Sequence, residues 1–303
     1  MTAEAKPFID DSMLLHPHEG RYQPSVGMIA YMHEGVPYPP AGSASLFEAI
    51  EGLPLDPADL TIVGYPKSGT NWLQVIVSRL YDDDFETLRR TGGIVPHVDM
   101  GSRPGFHGFE SVVDCPSPRL MKAHCSVDRL PRAFRENRVS KVICVIRNGK
   151  DVCDSYYNQF STMREQMQFT LDWPEFFDHF MAGMVPYGSW RDHTLRWRQF
   201  GEAEGVLHLE FETMRRNTGE TLERIASFVG RPLAKGAIER VIAETEFSAM
   251  QKGDMAKRYN GEVARRAGGI GSWKQHFTVA QNERFDAEFV RPLEAAGISL
   301  QYE

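Results

Sequence analysis

The segment YPKSGTNW, Tyr65 to Trp72, places Lys67, Ser68, Gly69, Thr70 and Asn71 in succession. Small residues in such a run let backbone N–H groups converge on an anion, and a helix starting there adds the positive end of its dipole. In the strict Walker A pattern the lysine follows the second glycine, whereas here Lys67 precedes Ser68 and Gly69. The same residues also suit a plain glycine–threonine turn before a helix with Thr70 as its N-cap. Taken alone, the loop leaves both readings open.

Two further positions carry chemistry. The apolar run KVICVIR ends in Arg147 and Asn148, where a nucleotide-hydrolysing P-loop protein would have an aspartate for Mg²⁺. An arginine at that strand end favours an anion over a cation, and no metal is expected. His124 ends RLMKAH, two residues after Lys122. An isolated strand-end histidine of this kind is most often bonded to a carbonyl.

These residues must be held by an alternation of strands and helices. LTIVG (60–64) is a buried-strand candidate, and TNWLQVIVSRLY after it has helical spacing at Trp72, Val75, Ile76, Arg79 and Leu80. RLMKAH (119–124), KVICVIR (141–147) and VLHLEF (206–211) read as further strands. PRAFRENR, NGKDVCDSYYNQF, WPEFFDHFMAG, GSWRDHTLRWRQF and the stretches 213–230 and 235–245 read as helices. The pattern predicts an α/β fold: a single domain with a central parallel sheet flanked by helices and a P-loop-like anion loop. Residues 1–45 show no sustained period and read as an irregular extension or lid, with 46–303 as the main domain.

Composition narrows the classes. Hydrophobic residues at 42% and charged residues at 25% suffice for a core, and a formal net charge of −7 argues against a nucleic-acid binder. Cys115, Cys125, Cys144 and Cys153 form no CxxC pair and complete no zinc set with histidine. With no secretory signal pattern and no run of about 18 apolar residues, a cytoplasmic protein without a membrane partner is expected.

Three motifs together resemble the cytosolic, small-molecule sulfotransferases. YPKSGTNW looks like their 5′-phosphosulfate loop, IRNGKDVCDSYYNQF like their 3′-phosphate motif, and RAGGIGSWK (266–274) like their C-terminal glycine loop. PYGSW and SFVG match as well, so the likeness covers roughly residues 55–290. The resemblance implies 3′-phosphoadenosine 5′-phosphosulfate (PAPS) as sulfuryl donor, adenosine 3′,5′-bisphosphate as product, and a small hydroxylated acceptor.

It also implies roles. Lys67 would stabilise charge on the departing nucleotide, and Ser68, Gly69, Thr70 and Asn71 would cradle the 5′-phosphate. Arg147 and Ser155 would read the 3′-phosphate, with Arg266, Ala267 and Gly268 closing over it. Trp72 would stack on adenine, although its spacing equally suits a helix core. Phe211, Thr245, Phe247 and Met250 would line the adenine site. His124 would be the base, with Lys122 beside the transferring group. Asn71, Phe211 and Ala267 stand where the family more often has threonine, tyrosine and lysine.

Met100, Phe106, Phe109, Phe160, Met163, Met167 and Phe169 fall where the family builds its acceptor cavity, and are equally ordinary core types. KQHFTVAQNE, with Lys274, Thr278, Val279 and Glu283 at its marked positions, resembles the family's dimerisation motif, implying a homodimer. Alternatives on the same scaffold are a small-molecule kinase, a nucleotide-binding protein without activity, and a sulfonating dehydratase that eliminates the ester.

Overall fold

The computed structural model describes residues 19–81, 85–103, 105–201, 205–231, 233, 235–245 and 269–303. Strands β1 (Arg21–Gln23), β2 (Met28–His33) and β3 (Val36–Tyr38) precede helix α1 (Ala44–Glu51). Then come β4 (Leu60–Val63), α2 (Thr70–Leu80), α3 (Glu86–Arg90), α4 (Phe109–Val113), β5 (Leu120–Ala123) and α5 (Arg132–Asn137). The chain continues through β6 (Lys141–Ile146), α6 (Gly149–Thr162), α7 (Trp173–Met181), α8 (Trp190–Gly201) and β7 (Val206–Glu210). Helices α9 (Phe211–Arg216), α10 (Thr218–Val229), α11 (Ala237–Thr245), α12 (Val279–Phe285) and α13 (Arg291–Ala295) follow, the last two joined by a π-helical turn.

Strands β5, β4, β6 and β7 form, in that order, a parallel sheet. All four residues of β4 and of β5 are buried, which suits their mostly apolar sequences LTIV and LMKA: both faces are covered, with Thr61 and Lys122 the polar exceptions. After β4 the chain moves to β5 on one side, then returns to β6 on the other. The β4/β6 boundary is therefore a topological switch point, and the crevice beyond its carboxyl ends is where such sheets bind ligands. Gly64 must be small there, because a Cβ would lie 2.7 Å from the carbonyl oxygen of Val145.

The N-terminal stretch corrects the expectation of irregular chain. Residues 21–38 form an antiparallel three-stranded sheet, its second turn made by Glu34 and Gly35, both at positive φ. Met28 and Ala30 are fully buried in the same core as Val63 and Ala123. The strands are too short, three to six residues, to announce themselves by alternation. Backbone bonds from Ile29 N–H to Met167 O and from Tyr187 N–H to Pro37 O tie this sheet to the body.

Candidate active site

Each site element leaves the sheet at a strand's carboxyl end. After β4, Tyr65 is buried and its hydroxyl donates to the carbonyl of Gly188 at 2.7 Å, which anchors the loop. Ser68 N–H closes a turn onto Tyr65 O at 3.0 Å. Lys67 has φ 71° and Gly69 φ 101°, so the loop twice enters the left-handed region that turns successive amides into an anion nest. Gly69, and not Thr70, caps α2; Thr70 is the first helical residue. A side chain at residue 69 would set its Cβ 2.5 Å from the Phe211 ring, so glycine is required twice over, by conformation and by space. The hydroxyl of Ser68 is buried without a partner among the described residues.

After β6, buried Arg147 donates through Nη1 to Lys67 O and through Nη2 to Gly269 O, both at 3.0 Å. Its Nε is buried and unpartnered among the described residues, and the guanidinium lies 4.5 Å over the Phe211 ring. Burial pushes its pKa down, yet a guanidinium keeps its charge at any ordinary pH. Asn148 caps α6 by accepting from Asp151 N–H at 2.8 Å, while its own N–H and Nδ2 donate to Glu212 at 3.0 and 2.9 Å. Ser155 is half-buried on α6, about two turns beyond Arg147.

Trp72 on α2 lies edge-on to Phe211, with ring centroids 5.9 Å apart, and its Nε1 donates to the carbonyl of Thr245 at 3.1 Å. Three of the residues expected around adenine thus meet in one place. Thr245 spends its hydroxyl proton on Val241 O, 2.6 Å away in its own helix, so toward a ligand it offers only lone pairs. Phe247, Met250, Arg266, Ala267 and Gly268 lie outside the described residues.

After β5, His124 has Nδ1 2.7 Å from the carbonyl oxygen of Gly64. A carbonyl can only accept, so Nδ1 carries the proton and Nε2 keeps its lone pair. Burial lowers the pKa of the imidazole to about 3, against the Gly64 bond that raises it, with nearby Lys122 lowering it further. Lys122 is buried and donates to Asn71 Oδ1 at 3.0 Å, which links the lysine to the anion loop. The backbone N–H groups of His124 and Cys125 both donate to Asp99 Oδ2, at 2.5 and 2.9 Å.

Sequence reasoning missed the residues that hold these parts together. Asp151 and Asp154 on α6 receive the C-terminal segment: Asp151 accepts from Gly271 N–H at 2.9 Å and Trp273 N–H at 3.0 Å, and Ser272 Oγ bonds both carboxylates. His276 Nδ1 lies 2.5 Å from Asp154. The i, i+3 spacing put both aspartates on one helical face, but their partners are more than a hundred positions away. On the acceptor side, Phe106 stacks on His97 beside His124. Phe160, Met167 and Phe169 belong instead to the aromatic core around Tyr156 and Phe176, which favours their core reading. All four cysteines are buried and free.

Comparison with known proteins gives the family. The family model described as "Sulfotransferase domain" matches residues 57–297. The chain is 36% identical to sulfotransferase 1A1 of Canis lupus familiaris, over 85% of this chain and 91% of that protein. It is 35% identical to sulfotransferase 1B1 of Mus musculus, over 84% and 89% respectively. Among solved structures, mouse sulfotransferase SULT7A1 complexed with PAP superposes with a TM-score of 0.74 at 25% identity, covering 87% of this chain and 95% of that one. Retinol dehydratase in complex with retinol and PAP shares the fold, with a TM-score of 0.73 at 17% identity over 95% of this chain and 99% of its own. With that family model matched over most of its length and relatives 36% and 35% identical over more than four fifths of it, this protein is a member of the sulfotransferase family.

Proposed function

We propose that this protein transfers a sulfuryl group from PAPS to a hydroxyl of a small, largely hydrophobic acceptor, with His124 as general base. The observation that carries the reading is the Nδ1 bond of His124 to Gly64 O, which leaves Nε2 unprotonated beside the anion loop. The site's chemistry fits the donor: Ser68 Oγ, in the loop after β4, and Arg147 Nε, at the end of β6, are buried polar atoms without a partner among the described residues.

PAPS supplies the sulfuryl group, and its nucleotide leaves as adenosine 3′,5′-bisphosphate. The amides and side chains of Ser68, Gly69, Thr70 and Asn71 would hold the 5′-phosphate, with Lys67 and Lys122 bringing positive charge to the reacting oxygens. Arg147 and Ser155 would hold the 3′-phosphate, and Trp72, Phe211 and Thr245 would flank adenine. His124 would take the acceptor proton at Nε2. The exposed, helix-capping segment with Lys274, Thr278, Val279 and Glu283 supports a homodimer, and the composition a cytoplasmic location.

The test is turnover of labelled PAPS with a panel of phenols, alcohols and amines, read by product mass. Wild type should yield a sulfate ester, and His124→Ala should lose about 100-fold or more in kcat while binding adenosine 3′,5′-bisphosphate within about threefold of wild type. Undiminished turnover in the variant overturns the base assignment; an eliminated product in place of the ester points to the dehydratase.

A further inference from the structure

His97 is the residue beside His124 that the reaction as described does not use. It is 7% exposed and packs flat on Phe106, with ring centroids 5.1 Å apart, and the Arg103 guanidinium lies 4.2 Å from the centre of the same Phe106 ring. Its ring centroid lies 5.3 Å from that of His124. Its backbone is fixed as well, bridged to Lys122 and bonded through N–H to His107 O at 2.9 Å. A phenylalanine would fill this stacked position equally well, so packing alone gives no reason for two ring nitrogens.

The nitrogens have one visible partner. His97 Nδ1 is 3.6 Å from Asp99 Oδ1, and neither buried atom has a hydrogen bond among the described residues. Buried polar atoms left unpaired cost about 1–3 kcal/mol each, and the carboxylate oxygen beside Nδ1 can only accept, which favours the ring proton on Nδ1. Asp99 is itself held in place, because its other oxygen is fixed by the two amides of His124 and Cys125. With the proton on Nδ1, the Nε2 of His97 is an acceptor. Burial, with Lys122, His124 and Arg103 adding to it, keeps the imidazole neutral. Two neutral imidazoles then stand side by side, His124 with Nδ1 bonded to Gly64 O and His97 with Nδ1 facing Asp99.

We propose that His97 is a specificity-determining residue that accepts a hydrogen bond from a second donor close to the acceptor's reacting hydroxyl, so that compounds with adjacent hydroxyls, the catechol or vicinal-diol class, are preferred. The proposal rests on His124 receiving the first hydroxyl. Asp99 acts through His97 and His124, as a positioning residue.

The experiment is calorimetric binding of catechol, its monomethyl ether guaiacol and phenol to the wild-type protein saturated with adenosine 3′,5′-bisphosphate, alongside kcat/KM with PAPS for each. Catechol should bind roughly tenfold more tightly than the other two, the size of one hydrogen bond. In His97→Phe, which keeps the stack on Phe106, that preference should disappear while phenol changes less than about threefold. Equal binding of catechol, guaiacol and phenol by the wild type overturns the proposal without need of the variant. So does a catechol preference that survives His97→Phe. Binding preference without any turnover would instead count against His124 and the transfer reaction, leaving the role of His97 standing.

Discussion

Arg147 donates to the carbonyl oxygen of Lys67 at 3.0 Å, a bond that joins the loop after β4 to the end of β6. One guanidinium thereby ties the two segments together, with two nitrogens on backbone carbonyls and Nε without a partner among the described residues. The fork geometry matters as much as the charge, since an ammonium cannot reach two carbonyls and a phosphate in one plane.

Arg147→Lys should therefore weaken binding of adenosine 3′,5′-bisphosphate by about 10- to 100-fold, the value of one or two charge-assisted bonds. Binding of adenosine 5′-phosphosulfate, which lacks the 3′-phosphate, should fall far less. Calorimetry on the two nucleotides decides it; equal losses would remove Arg147 from the 3′ site.

Asp151 offers a test of how the C-terminal segment is held. Its carboxylate is fully buried and accepts from Asn148 Nδ2, Gly271 N–H, Ser272 Oγ and Trp273 N–H. Asp151→Ala strands those donors and should cost about 3 kcal/mol or more. Hydrogen exchange should speed up across 270–276 before the sheet loosens. Unchanged protection there would mean that other contacts, such as His276 with Asp154, carry the docking.

The dimer proposal rests on an exposed edge. Val279 is 76% exposed at the start of α12, where Thr278 and Gln281 form a capping box. Val279→Glu should leave the melting temperature within about 2 °C, as for a typical surface change, yet shift sedimentation from dimer to monomer. A wild type that sediments as a monomer at all concentrations rejects the motif.

Acid should destabilise the protein through its histidines. Burial holds His97 well below the usual imidazole value, His124 at about 3, and His193 and His208 at about 4. The unfolded chain takes up those protons near pH 6.5, so the associated stability is full above that pH and drains away as pH falls toward the folded values. Asp99, raised to about 6 by burial, and Glu212, raised likewise, work in the opposite sense over part of the range. Each histidine loses about 2 kcal/mol between pH 7 and 5 and Asp99 returns only about 1, so a net loss of several kcal/mol is expected over that range. Melting temperatures across that range check it, with a flat or falling profile toward neutrality as the contrary result. The neutral form of His124 persists well below pH 6.5, so the acid limb of kcat/KM should report unfolding before it reports the base.

The sequence by itself determined the local chemistry and the elements. Four apolar runs became four parallel strands, and the residues that follow them (Lys67, His124, Arg147 and Phe211) are the ones that meet, because a parallel sheet gathers all its carboxyl ends on one edge. Boundaries moved by a residue or so, as at Gly69, where only a glycine tolerates the backbone turn. Tertiary structure alone decided the rest. Short strands β1 to β3 exist because they bury Met28 and Ala30 against the body, a gain invisible to local pattern. Asp151 is bonded to Trp273, His97 lies beside His124, and Phe160 turns into the core. Each depends on chain segments brought together by folding, and no spacing along the sequence encodes that contact.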